Sequence, residues 1–117
     1  MKAILLISHG SRLSQTKEEV IRLLKRLKKE SQADIFEYAF LEIEEPSISE
    51  GIDICARKGA KEIILALNFL NAGRHVDIDI PKIIRDARRK YPAVSIRSTI
   101  SVGQHPGIVS LFLDMIK

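Results

Sequence analysis

Apolar runs and amphipathic runs alternate four times along the 117 residues, and this alternation constrains the fold more than any other feature. Apolar runs near residues 2–8, 35–41, 62–67 and 94–100 predict strands, and the segments that follow them predict helices. Such an alternation is typical of a parallel sheet with helices on both faces. We therefore predict an α/β fold, a three-layer sandwich with a four-stranded parallel sheet flanked by helices.

Helix signals accompany each amphipathic run. A stripe at i, i+3, i+4 and i+7 predicts a first helix over residues 14–31, formed by Val20, Leu23, Leu24 and Leu27. Ser47 and Glu50 have the spacing of a capping box and begin a second helix, which Gly59 can end. Pro81 begins a third helix, which stops near Pro92. Pro106 begins a last helix, and its inner stripe is expected to be buried: Ile108, Val109, Phe112, Leu113 and Ile116.

Length and composition favour one globular domain over residues 1–117, since 45% of the residues are hydrophobic and 29% are charged. No apolar run approaches the roughly 18 residues of a membrane span. The apolar run at residues 3–7 is too short for a signal peptide, so we predict a cytoplasmic protein with no membrane partner. Cys55 is the single cysteine. With one cysteine the chain can form neither an internal disulfide nor a thiolate cluster, so a metal site must use histidine and carboxylate.

The formal charge of +4 indicates an acidic ligand. Basic residues gather in residues 25–29 and 85–90, and such runs are typical either of a nucleic-acid-binding surface or of the solvated face of a helix. We favour solvated helix faces and predict no nucleic-acid partner, although a basic nucleic-acid-binding module stays a rival interpretation. That rival predicts binding that weakens steeply with salt.

Two histidines stand where predicted strands end, His9 after the first and His75 after the third. The carboxyl ends of neighbouring parallel strands open onto one crevice, where ligands bind. Two neutral imidazoles brought together there would suit Co, Ni, Fe or Zn. A structural role for each stays open, with His9 bonded to a loop carbonyl and His75 at a helix start.

Other polar residues lie on the same predicted edge. Gly10 permits a tight turn whose N–H groups would face an anion, and Arg12 could grip a carboxylate. Glu42, just past the second strand, could complete a metal site, accept a proton or be a surface charge. His105 precedes a helical proline, which favours a capping role over ligand contact. Motifs for nucleotide phosphates or a nucleophile elbow are absent, and Ser11 lacks a third catalytic partner.

Four segments in order resemble a known family: LLISHGSR at residues 5–12, FLEIEEPSI at residues 40–48, FLNAGRHVDIDIP at residues 69–81 and GQHP at residues 103–106. Together they resemble the short sirohydrochlorin cobaltochelatase family of archaeal cobalamin biosynthesis. The members of this family are class II chelatases. The resemblance spans nearly the whole chain. It implies a chelatase-like fold equivalent to a flavodoxin-like half of the larger relatives, which hold two such domains in one chain.

The resemblance also implies an activity and its partners. The family inserts a divalent metal without ATP, here Co²⁺ into sirohydrochlorin in anaerobic cobalamin biosynthesis, and the metal is a substrate rather than a bound cofactor. Nickel insertion and a carrier that binds metal or tetrapyrrole without turnover are the alternatives. By motif, His9 and His75 correspond to the metal ligands, and Glu42 takes the place of an acidic active-site residue. A chain of this length is expected to act as a homodimer.

Sirohydrochlorin is a tetrapyrrole with many carboxylates, which gives Arg12 and Arg74 a predicted substrate-binding role. Ser11 and Gly73 are predicted beside them. The apolar macrocycle is expected against a hydrophobic surface that consists of Phe69, Leu70 and Leu13. The group that deprotonates the ring, the role of His105 and the way in which two chains share one ring are left open.

Overall fold

The structure, a computed structural model, describes residues 1–71, 73 and 75–117, with the backbone alone for His75. Four strands alternate with four helices, as predicted. The strands are β1 (Lys2–Ser8), β2 (Ile35–Phe40), β3 (Glu62–Leu67) and β4 (Ser95–Ser101). The helices are α1 (Ser14–Glu30), α2 (Ile48–Arg57), α3 (Ile80–Lys90) and α4 (Gly107–Met115). A π-helical segment, His75–Asp79, precedes α3, and a 3-10 turn, Val102–Gln104, precedes α4.

All four strands are parallel, in the order β2-β1-β3-β4. The chain passes from β1 outward to β2 on one side and then returns to place β3 on the other side of β1. The carboxyl ends of β1 and β3 therefore flank the point at which the strand order reverses, where open α/β sheets bind ligands. The predicted fold class is confirmed, and the functional residues are to be sought at this edge.

One face of the sheet, which we name the closed face, packs against α2 and α3. Alternate residues of the central strands point into it because side chains alternate between the two faces of a strand. Its fully buried side chains include Leu5, Ile7, Ile52, Ile63, Leu65 and Ile80. Gly51 allows close contact of α2, since a Cβ there would lie 2.9 Å from the Cβ of Ala39.

The opposite face, which we name the open face, packs against α1. Its buried cluster is small and consists of Leu6, Val20, Leu24 and Phe40. The predicted stripe of α1 is confirmed, but the helix leaves part of the sheet uncovered. A groove of about 290 Å³ remains beside it, which we name the β4 groove, and its apolar lining includes Leu6, Leu23, Leu27, Ala66, Ile100 and Val102.

The expected burial of the last helix is wrong. The helix itself forms over Gly107–Met115, but no side chain of it is buried. Ile108 is half-buried, and the rest of the predicted stripe is 54% to 72% exposed: Val109, Phe112, Leu113 and Ile116. The amphipathic pattern shows that a helix needs an apolar partner, but it does not say that the partner belongs to the same chain.

The other helix boundaries follow local signals. Ser47 and Glu50 form the predicted capping box, in which the Ser47 hydroxyl accepts from the Glu50 N–H and the Glu50 carboxylate accepts from the Ser47 N–H. Pro81 lies in the first turn of α3. Among the described residues, no helix is long and apolar enough to span a membrane.

Candidate active site at the carboxyl edge of the sheet

His9 directly follows β1 and is exposed at the carboxyl edge. Its imidazole meets the ring of Phe69 edge to face, with centroids 4.5 Å apart and planes inclined by 68°. Phe69 is itself only 1% exposed, held in the core of the closed face. A buried aromatic ring thus orients an exposed imidazole by packing, which leaves the ring nitrogens available for a ligand.

Glu42 is tied to His9 through the backbone. The parallel pairing of β1 and β2 continues past the strand ends, with the Leu41 N–H donating to Ser8 O at 2.9 Å and the Glu42 N–H donating to His9 O at 3.0 Å. This close contact requires glycine at position 10, because its φ is +100° and a Cβ there would lie 1.9 Å from the Glu42 carbonyl oxygen. The structure therefore places an exposed carboxylate-bearing residue beside the histidine, as the two strand exits predicted.

Ser8 and Asn68 join the carboxyl ends of β1 and β3, a role that the sequence pattern did not indicate. The Asn68 side-chain amide donates to the Ser8 hydroxyl at 3.1 Å, and the Asn68 backbone N–H donates to Ile7 O at 2.8 Å. Both residues line a cavity of about 340 Å³ next to His9. An amide directly after an apolar strand is the signal that would have identified the pair.

The segment after Glu42 is strained. Ile43 has a φ of +69°, a region that β-branched residues rarely adopt, and the Glu44 N–H donates back to Glu42 O at 2.7 Å. Within the described residues, the Glu44 Oε2 atom is the one buried side-chain oxygen or nitrogen without a hydrogen-bond partner. Backbone strain and an unpaired buried acceptor collect at functional sites, which supports this turn as part of one.

The turn from β1 into α1 presents both polar and apolar groups. The Ser11 hydroxyl accepts from the Leu13 N–H at 3.1 Å, so this predicted ligand residue also shapes the turn. Arg12 is exposed, and Leu13 is 64% exposed. No side chain caps the first turn of α1. Free N–H groups at the start of a helix and an exposed guanidinium each suit an anion.

The loop after β3 exposes two of its predicted residues, Leu70 and Gly73. Leu70 is 69% exposed, whereas Phe69 is buried beneath His9. Gly73 is exposed, and its carbonyl accepts from the Asp77 N–H at 3.0 Å. The backbone of His75 begins the π-helical segment, an element often found at functional sites. Arg74 and the side chain of His75 lie outside the described residues.

His105 has the capping role predicted for it. Its Nδ1 accepts from the Gly107 N–H at 2.8 Å, and its carbonyl accepts from the Ile108 N–H at 3.1 Å. Among the described residues, no three His, Cys, Asp or Glu side chains gather as a metal centre.

The chain matches a family model described as CbiX over residues 3–117. It is 32% identical to the chloroplastic sirohydrochlorin ferrochelatase of Arabidopsis thaliana over 97% of its length, and covers 48% of that protein. It is 26% identical to the sirohydrochlorin cobaltochelatase of Methanopyrus kandleri over its whole length, and covers 96% of that protein.

Solved structures give the same result. The fold superposes with a TM-score of 0.86 on the sirohydrochlorin chelatase SirB from Bacillus subtilis subspecies spizizenii, determined in complex with cobalt, at 30% identity. The match covers 98% of this chain and 49% of SirB. The chain thus spans about half the length of SirB and of the Arabidopsis relative. The predicted family is confirmed, and the chain belongs to the CbiX family.

Proposed function

We propose that this chain inserts a divalent metal into sirohydrochlorin without ATP. The observation that carries the proposal is the arrangement at the end of β1, where a buried Phe69 orients the exposed His9 and two backbone hydrogen bonds hold Glu42 beside it. An imidazole that binds metal and a carboxylate that accepts protons are the two groups that metal insertion requires.

The reaction replaces two pyrrole N–H protons with one divalent metal ion, so two protons must leave as the metal enters. In our proposal His9 and His75 strip water from the ion and present it to the ring. Glu42, which is exposed to solvent, accepts the two pyrrole protons one after the other and releases each to water. The buried Glu44 oxygen, which lacks a donor among the described residues, lies two residues away. A site with few protein ligands holds the metal weakly enough to release it into the product.

The ring itself needs both anionic and apolar recognition. Arg12 and the uncapped first turn of α1 would bind peripheral carboxylates, with Arg74, Ser11 and Gly73 in the same role. The exposed side chains of Leu13 and Leu70 would contact the macrocycle. The Phe69 side chain is buried and therefore does not contact the macrocycle in our proposal. It acts indirectly, by orienting His9.

We propose Co²⁺ as the physiological metal, with Ni²⁺ as the alternative. The cobaltochelatase of M. kandleri and the cobalt complex of SirB support this choice, while the Arabidopsis relative is named a ferrochelatase. We propose further that the metal is a substrate with no resident cofactor, and that the chain works as a homodimer in cobalamin biosynthesis. A cytoplasmic location and the lack of nucleic-acid and membrane partners stay predictions.

The test is steady-state metal insertion, followed by the change in the absorbance spectrum of sirohydrochlorin with Co²⁺, Ni²⁺ and Fe²⁺ in parallel. We expect many turnovers per chain and the highest kcat/KM with Co²⁺. A single product molecule retained per site, without cycling, would show a carrier and overturn the enzymatic proposal.

Arg12→Ala and Arg89→Ala provide a matched pair for the recognition of the anionic ring. Both residues are exposed arginines, but Arg89 lies on α3 and pairs only with Asp86 among the described residues, at 3.8 Å. Arg12→Ala is expected to raise the KM for sirohydrochlorin several-fold, and Arg89→Ala to leave it unchanged. Equal effects would assign the KM change to the net charge and not to a specific carboxylate contact.

A further inference from the structure

One side of helix α1 begins with polar residues and continues with apolar ones. The residues at i, i+3, i+4 and i+7 on this side are Thr16, Glu19, Val20 and Leu23. Val20 and Leu23 belong to the apolar cluster of the open face. The two residues before them on the same side carry a hydroxyl and a carboxylate. Polar residues in a stripe that should be apolar are expected at functional sites.

These two polar residues line the cavity of about 340 Å³ beside His9. From the sheet, Ser8 and Asn68 line the same cavity, and their side chains share the 3.1 Å hydrogen bond. That bond uses an N–H of the amide and one lone pair of the hydroxyl, so the amide oxygen and a second lone pair are left as acceptors. Oxygen acceptors therefore line the cavity on both the helix side and the sheet side.

The charge of this lining is negative. Glu19 is the one carboxylate among the described lining residues, and none of them is lysine or arginine, although the chain has 19 of these. Glu19 forms no salt bridge with any described residue. The ammonium of Lys17 lies elsewhere, 3.3 Å from the Glu45 carbonyl oxygen. An unpaired carboxylate attracts a cation and repels the carboxylates of sirohydrochlorin, so the cavity favours the metal over the ring.

The size of the cavity suits a hydrated metal ion. Six waters occupy about 180 Å³, and the cavity offers about 340 Å³. The waters of a hydrated cation point their hydrogens outward, so the groups that hold it must be hydrogen-bond acceptors. In the described part of the chain no three His, Cys, Asp or Glu side chains gather, so an ion there keeps most of its water.

We propose that this cavity is an entry site for the metal substrate, in which Glu19 binds the hydrated divalent ion before it reaches His9. The imidazole of His9 borders the same cavity, while Phe69 fixes it from the core of the closed face. The neutral imidazole then replaces one water of the ion, a step that leaves the net charge unchanged. The inference rests on the proposed function. It adds a binding residue for the metal and the side of the sheet, that of α1, from which the metal arrives.

Glu19→Gln and Glu18→Gln form a matched pair that tests the entry site by kinetics. Both residues are exposed neighbours on α1, and each change removes one negative charge, but only Glu19 lines the cavity. We expect Glu19→Gln to raise the KM for Co²⁺ about tenfold, because a divalent ion loses a close opposite charge. The kcat at saturating Co²⁺ and the KM for sirohydrochlorin should stay at their wild-type values. Glu18→Gln should change none of the three. An equal rise in both variants, or no rise for Glu19→Gln, would overturn the entry site.

Titration calorimetry with Co²⁺ alone, without the ring, gives a readout that does not depend on activity. His9→Ala should still bind Co²⁺ weakly at the entry site. Adding Glu19→Gln should weaken this binding about tenfold, whereas adding Glu18→Gln should not. Equal Co²⁺ binding by the two double variants would overturn the entry site.

The two experiments together separate this inference from the proposed function. Co²⁺ binding that depends on Glu19, in a wild-type chain that inserts no metal, contradicts only the chelatase. Metal insertion with a wild-type KM for Co²⁺ in Glu19→Gln contradicts only the entry site.

Discussion

The two faces of the sheet are built differently. In the part of the chain that the structure describes, the closed face carries two helices and seventeen buried core residues, whereas the open face carries α1 with four buried residues and the β4 groove. Hydrogen bonds also join the two helices of the closed face. Asp53 of α2 accepts from Tyr91 and from Lys90 at the end of α3. The closed face thus holds most of the buried core.

The two faces differ in how much apolar surface they bury. Burial of apolar surface is the main stabilising contribution to folding, and the closed face supplies most of it. The open face leaves apolar surface uncovered, and its groove shares a wall with the cavity beside His9. Most of the buried core thus lies on the closed face, and the uncovered apolar groove lies on the open face.

The largest expected effect compares core leucines with helix leucines. Leu65 is fully buried on the closed face, and Leu65→Ala should lower the free energy of unfolding by about 3 kcal/mol. Leu111 of α4 is 57% exposed, and Leu111→Ala should change it by less than about 0.5 kcal/mol in the monomer. Urea unfolding at low protein concentration measures both. Equal losses would contradict the assignment of stability to the closed face.

Two glycines provide a second comparison, of intermediate size. Gly103→Ala should cost about 2 kcal/mol, because its Cβ would meet the Leu70 backbone and the turn would have to move. Gly51→Ala meets only side chains of Ala39 and Leu5, and alanine favours the helix by about 1 kcal/mol, so its net effect should be smaller. Thermal unfolding measures the order, and a larger loss for Gly51→Ala would contradict it.

The smallest effect concerns pH. The hydrogen bond from Tyr91, followed by the contact with Lys90, lowers the pKa of Asp53 despite its partial burial. A lowered pKa stabilises the folded protein above the ordinary pKa of Asp, and this contribution is lost as the pH falls through the folded-state value. Asp53→Asn should therefore cost about 1 kcal/mol at neutral pH and less below about pH 4.

The control for this prediction lies on α4. Asp114 pairs with Lys117 at 3.2 Å, but its side chain is 72% exposed. Asp114→Asn should leave the pH dependence of unfolding unchanged, since solvent screens an exposed pair. A parallel change in both variants would show that Asp53 acts through net charge alone.

Strands, capping residues and the four α-helices could be predicted from the sequence because their signals are local. The predicted neighbourhood of His9 and Glu42 followed from a rule about parallel strands, and the backbone hydrogen bonds agree with it. The burial of Phe69 under His9 and the bond from Asn68 to Ser8 depend on the register of β1 with β3 and on side-chain packing. The exposure of α4 was missed because periodicity shows which side of a helix is apolar but not whether the chain itself covers that side.

The most direct test of the proposed site is the rate of Co²⁺ insertion by His9→Ala, with Arg89→Ala as a surface control and thermal unfolding to verify the fold. We predict a loss of at least about a hundredfold in kcat/KM for His9→Ala, the low end of what a group that binds metal or transfers protons contributes. Arg89→Ala should retain the wild-type rate. A folded His9→Ala protein with wild-type activity would contradict the account.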